Sequence, residues 1–201
     1  MSGQIEDIKA IREMMEKSTK FLSLSGFSGI IAGVAALMGA CIAYYLLRDP
    51  SFSDYSWMHK MLLLLSDAIG VLVISIVASV WLSWRKAKRK GETLFNRTTY
   101  RILYSLAVPL VAGGIFCLIY MLKGELSTVI SGTLMFYGLA LVNASKYTYG
   151  EIHYLGLIEI ALGLAAALYG SCGLIFWALG FGVCHIIYGL AMYMKYDRKK
   201  N

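Results

Sequence analysis

Glu159 and His185 are the two residues in this 201-residue chain whose types and spacing suit them to hold and move a proton. Glu159 falls on the stripe Gly156, Glu159, Gly163, Ala166 and Gly170, which has the 3-4-3-4 spacing of one helix face, and His185 falls on a similar stripe with Ala178, Gly182 and Gly189. In lipid, helices approach one another where side chains are small, so both polar groups are expected to point inward. If the chain turns between Gly170 and Gly173, Glu159 and His185 each lie about 12 residues from the turn, about 18 Å deep at the helical rise, and so at the same level. An ionised carboxylate in hydrocarbon costs at least a few kcal/mol, so such an acid needs a partner, a proton or water. Imidazole titrates near neutrality, so the pair is expected to be either a static lock within a hairpin or a group that holds and passes a proton.

A second acid, Asp67, lies about 10 Å deep by the same count, with Gly70 close by on the same face. Two acids at staggered depths suit an ion or proton route across a bundle, with Ser66, Ser75 and Asn143 as its polar wall. A solvated Asp67 near the mouth is the alternative.

Other chemistries fit less well. Ser131-Gly132 and His185 are similar to the serine and histidine of rhomboid intramembrane proteases, but position 129 is Val where that family's GxSG motif has glycine. Ser131 lies about 7 Å below its end of the bundle against about 18 Å for His185, beyond hydrogen-bonding reach, so no catalytic residue is expected. His153 and His185 differ by about 10 Å in depth, an awkward separation for axial haem ligation, and neither a P-loop nor a dinucleotide fingerprint is present. Cys41, Cys117, Cys172 and Cys184 lack the spacing of a metal site. No cofactor and no metal are expected.

The elements that must position these groups are apolar helices. With 58% hydrophobic residues against 15% charged, lipid rather than water has to be the solvent. Runs long enough to span occur at residues 21–47, 61–84, 102–122 and 126–145, and the long apolar stretch that follows breaks at Gly170-Ser171-Cys172-Gly173 into 152–170 and 173–194. The expected fold is all-α, a six-helix transmembrane bundle of three hairpins, preceded by an amphipathic cytoplasmic helix at 1–20 and followed by a basic tail at 195–201. Pro109 in the third span frees a carbonyl that a neighbour must satisfy. The stripe Gly29 and Gly33 in the first span, like Gly156, Gly163, Gly182 and Gly189, reads as a packing face. Gly26, Ile30 and Gly33 recur at constant offset as Gly156, Ile160 and Gly163, a weak internal repeat.

Placing the N-terminus inside leaves only Arg48, Lys60 and Lys123 of the 19 basic residues outside. Positive charge is retained on the cytoplasmic side, so both termini are expected there in a multi-pass protein. The net charge of +7 is then an orientation signal rather than a nucleic-acid surface. Arg85, Lys86, Lys88, Arg89 and Lys90 are placed to meet anionic lipid head groups. The stretch Glu13-Met14-Met15-Glu16-Lys17-Ser18-Thr19-Lys20-Phe21-Leu22-Ser23-Leu24-Ser25-Gly26 resembles the start of uncharacterised bacterial six-span inner-membrane proteins, which implies a location but no activity. Two functions follow as expectations: a small transporter or proton-conducting protein using Glu159, His185 and Asp67, or a non-catalytic scaffold or sensor that binds a cytoplasmic partner; a homo-oligomer is a further expectation under either.

Overall fold

The computed structural model describes residues 25–50, 54–89, 91 and 96–198. The expected amphipathic helix at 1–20 lies outside the described residues, as do positions 21–24 of the first span, Lys90, and positions 199–201 of the tail. Among the described residues all regular structure is helical, in the order α1 Gly26–Arg48, α2 Trp57–Arg89, α3 Arg97–Leu122, α4 Leu126–Ala144, α5 Glu151–Leu168 and a composite α6 over Gly170–Asp197. All six are long and apolar enough to cross a membrane. The 18 residues of α5 reach about 27 Å and the 23 of α1 about 35 Å, which brackets a hydrocarbon core of about 30 Å.

Helix ends differ from the apolar runs where polar residues themselves favour helix. The 33-residue α2 continues past Trp84 through Arg85, Lys86, Ala87, Lys88 and Arg89, all good helix formers. α3 begins before its apolar run because Asn96 caps it: the side-chain oxygen accepts the Thr99 backbone N–H at 2.9 Å and the Thr99 hydroxyl at 3.1 Å. α3 then runs unbroken through Pro109. Proline has no N–H to offer the carbonyl four residues back, which is that of Ser105, and Asn143 of α4 donates its amide to that oxygen at 2.9 Å. Asn143 is thus the neighbour that the proline demands.

The spatial order of the helices is not the chain order. α3 packs on α4, α4 on α5, α5 on α6, α6 on α1 and α1 on α2. Met61 of α2 meets Met121 of α3 and Val129 of α4 at one end, which brings the outer members of that row together. The three sequential hairpins are present, but α6 also packs extensively on α1 and α5 on α4.

Backbone contact explains those two crossings. On α1 and α6, a Cβ added at Gly33 would come 2.6 Å from the Gly182 carbonyl, and one at Gly189 would come 2.6 Å from the Ile30 nitrogen and 2.7 Å from the Gly26 carbonyl. Gly29 likewise faces Gly189, with a Cβ there 3.0 Å from its Cα. On α4 and α5, a Cβ at Gly138 would come 2.6 Å from the Gly156 carbonyl, and one at Gly163 would come 2.9 Å from the Met135 nitrogen. No side chain fits where main chains touch, and without a hydrophobic drive in lipid such close dispersion contact is what joins the helices. The crossings share one geometry. Gly26, Ile30 and Gly33 sit against Tyr193, Gly189 and Ile186 as Gly156, Ile160 and Gly163 sit against Val142, Gly138 and Met135. The recurrence seen in α1 and α5 therefore has a counterpart in their partners, where Tyr-Gly-Leu-Ala stands at 137–140 of α4 and again at 188–191 of α6.

At one end of the bundle, here called the basic end, ionic contacts tie the helix termini. The Asp197 carboxylate accepts the Gly26 backbone N–H at 3.0 Å and pairs with Lys86 at 2.6 Å. This sets a negative charge at the start of α1, where the helix dipole favours it. Glu151, at the start of α5, pairs with Lys195 and accepts the Tyr196 hydroxyl at 2.9 Å.

Candidate functional site: a buried carboxyl beside an imidazole

Glu159 is 0% exposed. It sits in the face of α5 that carries Gly156 and Gly163, opposite Leu134 of α4, which is also 0% exposed. Its carboxyl occupies the space that a side chain at Gly180 would take: a Cβ there would overlap Oε2 and come 2.7 Å from Leu134 Cδ2. Glycine at 180 is thus the recess for the acid.

The α6 backbone is unusual at this level. Gly173–Trp177 is α-helical, Ala178–Cys184 is a π-helical segment, and α-helix resumes at His185–Met192. π-Helical turns are rare overall and frequent at functional sites, and α6 holds a second one at Tyr193–Asp197. The first spans Gly180 and Gly182 and delivers His185 beside Glu159.

The hydrogen bonds of His185 fix its tautomer. Nδ1 lies 3.0 Å from the Gly180 carbonyl, an oxygen that can only accept, so Nδ1 carries the proton. In the neutral ring Nε2 is then the acceptor, and the Tyr137 hydroxyl of α4 donates to it at 2.8 Å. Glu159 Oε1 is 3.4 Å from the same Nδ1, a longer approach to a proton already given to Gly180. Among the described residues neither carboxyl oxygen of Glu159 has a hydrogen-bond partner.

Aromatic rings wall one side of this centre. Phe181 stacks over His185 with 21° between planes and lies 5.0 Å from the Tyr137 ring and 4.9 Å from Trp177. These rings lie toward the turn of the α5–α6 hairpin and away from the basic end.

The remaining sequence candidates stand elsewhere. Asp67 is half-buried where α2 crosses α1, its oxygens 3.4 and 3.5 Å from where a Cβ on Gly39 would be, so the two acids belong to separate crossings. Ser66 is exposed and donates to the Leu63 carbonyl, Ser75 donates to the Val71 carbonyl, and Asn143 serves the proline gap. These three bond to backbone rather than to Glu159, His185 or Asp67. Ser131 donates to the Thr128 carbonyl at 3.1 Å, while His185 is engaged with Tyr137 and Gly180. His153 is exposed beside Tyr154, and no described group of three His, Cys, Asp or Glu side chains is placed to hold a metal ion. Tyr137 and Tyr188 are the residues that sequence reasoning passed over. The signal for them was the repeated Tyr-Gly-Leu-Ala, which sets both tyrosines beside a packing glycine.

The chain matches no protein-family model, no curated protein and no solved structure.

Proposed function

We propose that this is a polytopic protein of a bacterial inner membrane, with both termini cytoplasmic, that conducts or couples protons through the Glu159–His185–Tyr137 centre. The observation that supports it is that Glu159, at 0% exposure, has no hydrogen-bond partner for either carboxyl oxygen among the described residues. A hairpin lock would use the carboxyl as a hydrogen-bond acceptor, because an unsatisfied buried group forfeits its solvation for nothing. A group that must gain and lose a proton is instead kept beside a titratable neighbour and short of a fixed bond. The π-helical segment Ala178–Cys184 is the element through which protonation would reach the fold, since conversion of a π turn to α would withdraw Gly180 and re-aim His185. Asp67 has no place in this centre; at the α1–α2 crossing it is a separate polar site. The exposed Arg85, Lys88 and Arg89 at the end of α2 meet anionic head groups, whereas Lys86 is engaged by Asp197.

The test is proton flux into liposomes containing the purified protein, read with an internal pH dye under an imposed potential. Flux above that of empty liposomes in the wild type, lost in Glu159→Gln, is the expected result. Equal flux in wild type, variant and empty liposomes contradicts the proposal.

A further inference from the structure

We infer that Tyr137 and Tyr188 form a proton route joining the Glu159–His185 centre to the basic end of the bundle, while the aromatic rings of Phe181 and Trp177 close the opposite side. The inference rests on the proton-centre reading above and adds the side from which the proton comes.

Tyr137 is the first link, since its hydroxyl donates to His185 Nε2 at 2.8 Å. Tyr188 follows His185 by about one helical turn toward the basic end. Its ring packs with Tyr137 against Leu141, Ile152 and Leu155, and its buried hydroxyl has no hydrogen-bond partner among the described residues. The same cluster includes Ile152, the chain neighbour of Glu151, so Tyr188 stands between Tyr137 and the start of α5. Tyr196 in turn donates to Glu151 at 2.9 Å, and Lys195 binds the same carboxylate at the exposed end. Glu151 and Glu159 are eight residues apart on α5, about 12 Å. Of the hydroxyl links between them, Tyr137 to His185 at 2.8 Å and Tyr196 to Glu151 at 2.9 Å are formed, and those on either side of Tyr188 are open among the described residues. The route therefore requires a rotation of Tyr188, or water beside it, to close those links.

The proton balance closes without any further reactant. The Nδ1 proton of His185 turns from the Gly180 carbonyl to Glu159 Oε1, 3.4 Å away, and passes to the ionised carboxylate; Nε2 takes the Tyr137 proton, Tyr137 takes that of Tyr188, and Tyr188 is refilled from the Tyr196–Glu151–Lys195 end. The net result is one proton entering from the basic end, a neutral carboxyl at Glu159 and His185 in its other tautomer. The new Glu159 O–H then donates to the bare Nδ1. Return of the proton along the same path restores the start, and net transfer requires the conversion of Ala178–Cys184 that moves Phe181 and opens the other side.

Toward the other end, Phe181 covers the imidazole and Trp177 packs behind it. Ser131, the buried hydroxyl of α4 on that side, is turned to the Thr128 carbonyl.

The experiment is hydrogen–deuterium exchange of the Glu159 carboxyl in reconstituted protein, followed through its infrared carbonyl band after mixing into D2O, with the band assigned by its absence in Glu159→Gln. Tyr188→Phe removes one oxygen atom and keeps the ring, and is expected to slow exchange by about a hundredfold while the band still titrates with pH. Tyr137→Phe, which cuts the same route one link nearer, is expected to do likewise and serves if the first variant does not fold. Ser131→Ala is expected to exchange at the wild-type rate. If both phenylalanine variants exchange like wild type, or Ser131→Ala is the slow one, the route is overturned while the proton centre stands. If no Glu159 band titrates in the wild type, the centre itself falls, and the route with it.

Discussion

Replacing Glu159 by glutamine separates a proton centre from a structural lock, because the two predict different stabilities. In the structure Oε1 is 3.4 Å from a His185 nitrogen already bonded to Gly180, and among the described residues neither carboxyl oxygen has a hydrogen-bond partner. Glutamine has the same shape and fits the Gly180 recess, so it loses almost nothing, and the expected change in unfolding free energy is within about 1 kcal/mol. A buried ion pair that locked the hairpin would cost about 3–5 kcal/mol when one partner was neutralised. His185→Ala is the internal standard: it removes the bonds to Tyr137 and to Gly180 and leaves a ring-sized void, for an expected loss of about 2–4 kcal/mol. The assay is reversible unfolding in mixed micelles by titration with a denaturing detergent, comparing midpoints and slopes of wild type, Glu159→Gln and His185→Ala. A loss at Glu159→Gln as large as that at His185→Ala would refute the reasoning and make the carboxyl structural.

Two further predictions test the framework that holds the centre. Gly33→Ala, whose Cβ would press on the Gly182 carbonyl at 2.6 Å, is expected to destabilise by about 1–3 kcal/mol, whereas Gly114→Ala, with open space beside it, is expected to be neutral or slightly stabilising in the same unfolding assay. Asn143→Ala orphans the Ser105 carbonyl and is expected to cost about 1–3 kcal/mol; in a Pro109→Ala background, where residue 109 regains its N–H, that cost should shrink, and a double-mutant cycle measures the difference.

Periodicity and depth carried much of the site into view. The small-residue stripe put Glu159 and His185 on inward faces, and counting from the break at 170–173 set them level, which is where the structure brings them to 3.4 Å. Glycine-rich runs marked which faces touch, because only glycine admits backbone contact. Lateral order was out of reach: depth along a helix says nothing of which helix stands beside it. Depth alone thus allows Asp67 a place on a route with Glu159 or in solvent near the mouth, and the structure sets it against Gly39 at another crossing. The two π-helical segments of α6, Ala178–Cys184 and Tyr193–Asp197, were equally hidden, since a shift of hydrogen-bond register leaves no residue pattern of its own. Tyr137 went unnoticed because a lone hydroxyl in an apolar helix gains meaning only when its acceptor, 48 positions away, is known.

The most direct test of the account is an infrared titration of the protein in lipid bilayers, following the carbonyl band of the neutral carboxyl that is missing in Glu159→Gln. The account predicts a band that appears as pH falls, vanishes as pH rises and reverses without unfolding. A band that stays constant across the whole range in which the bundle remains folded would show that Glu159 neither takes up nor releases a proton, and would contradict the account at its centre.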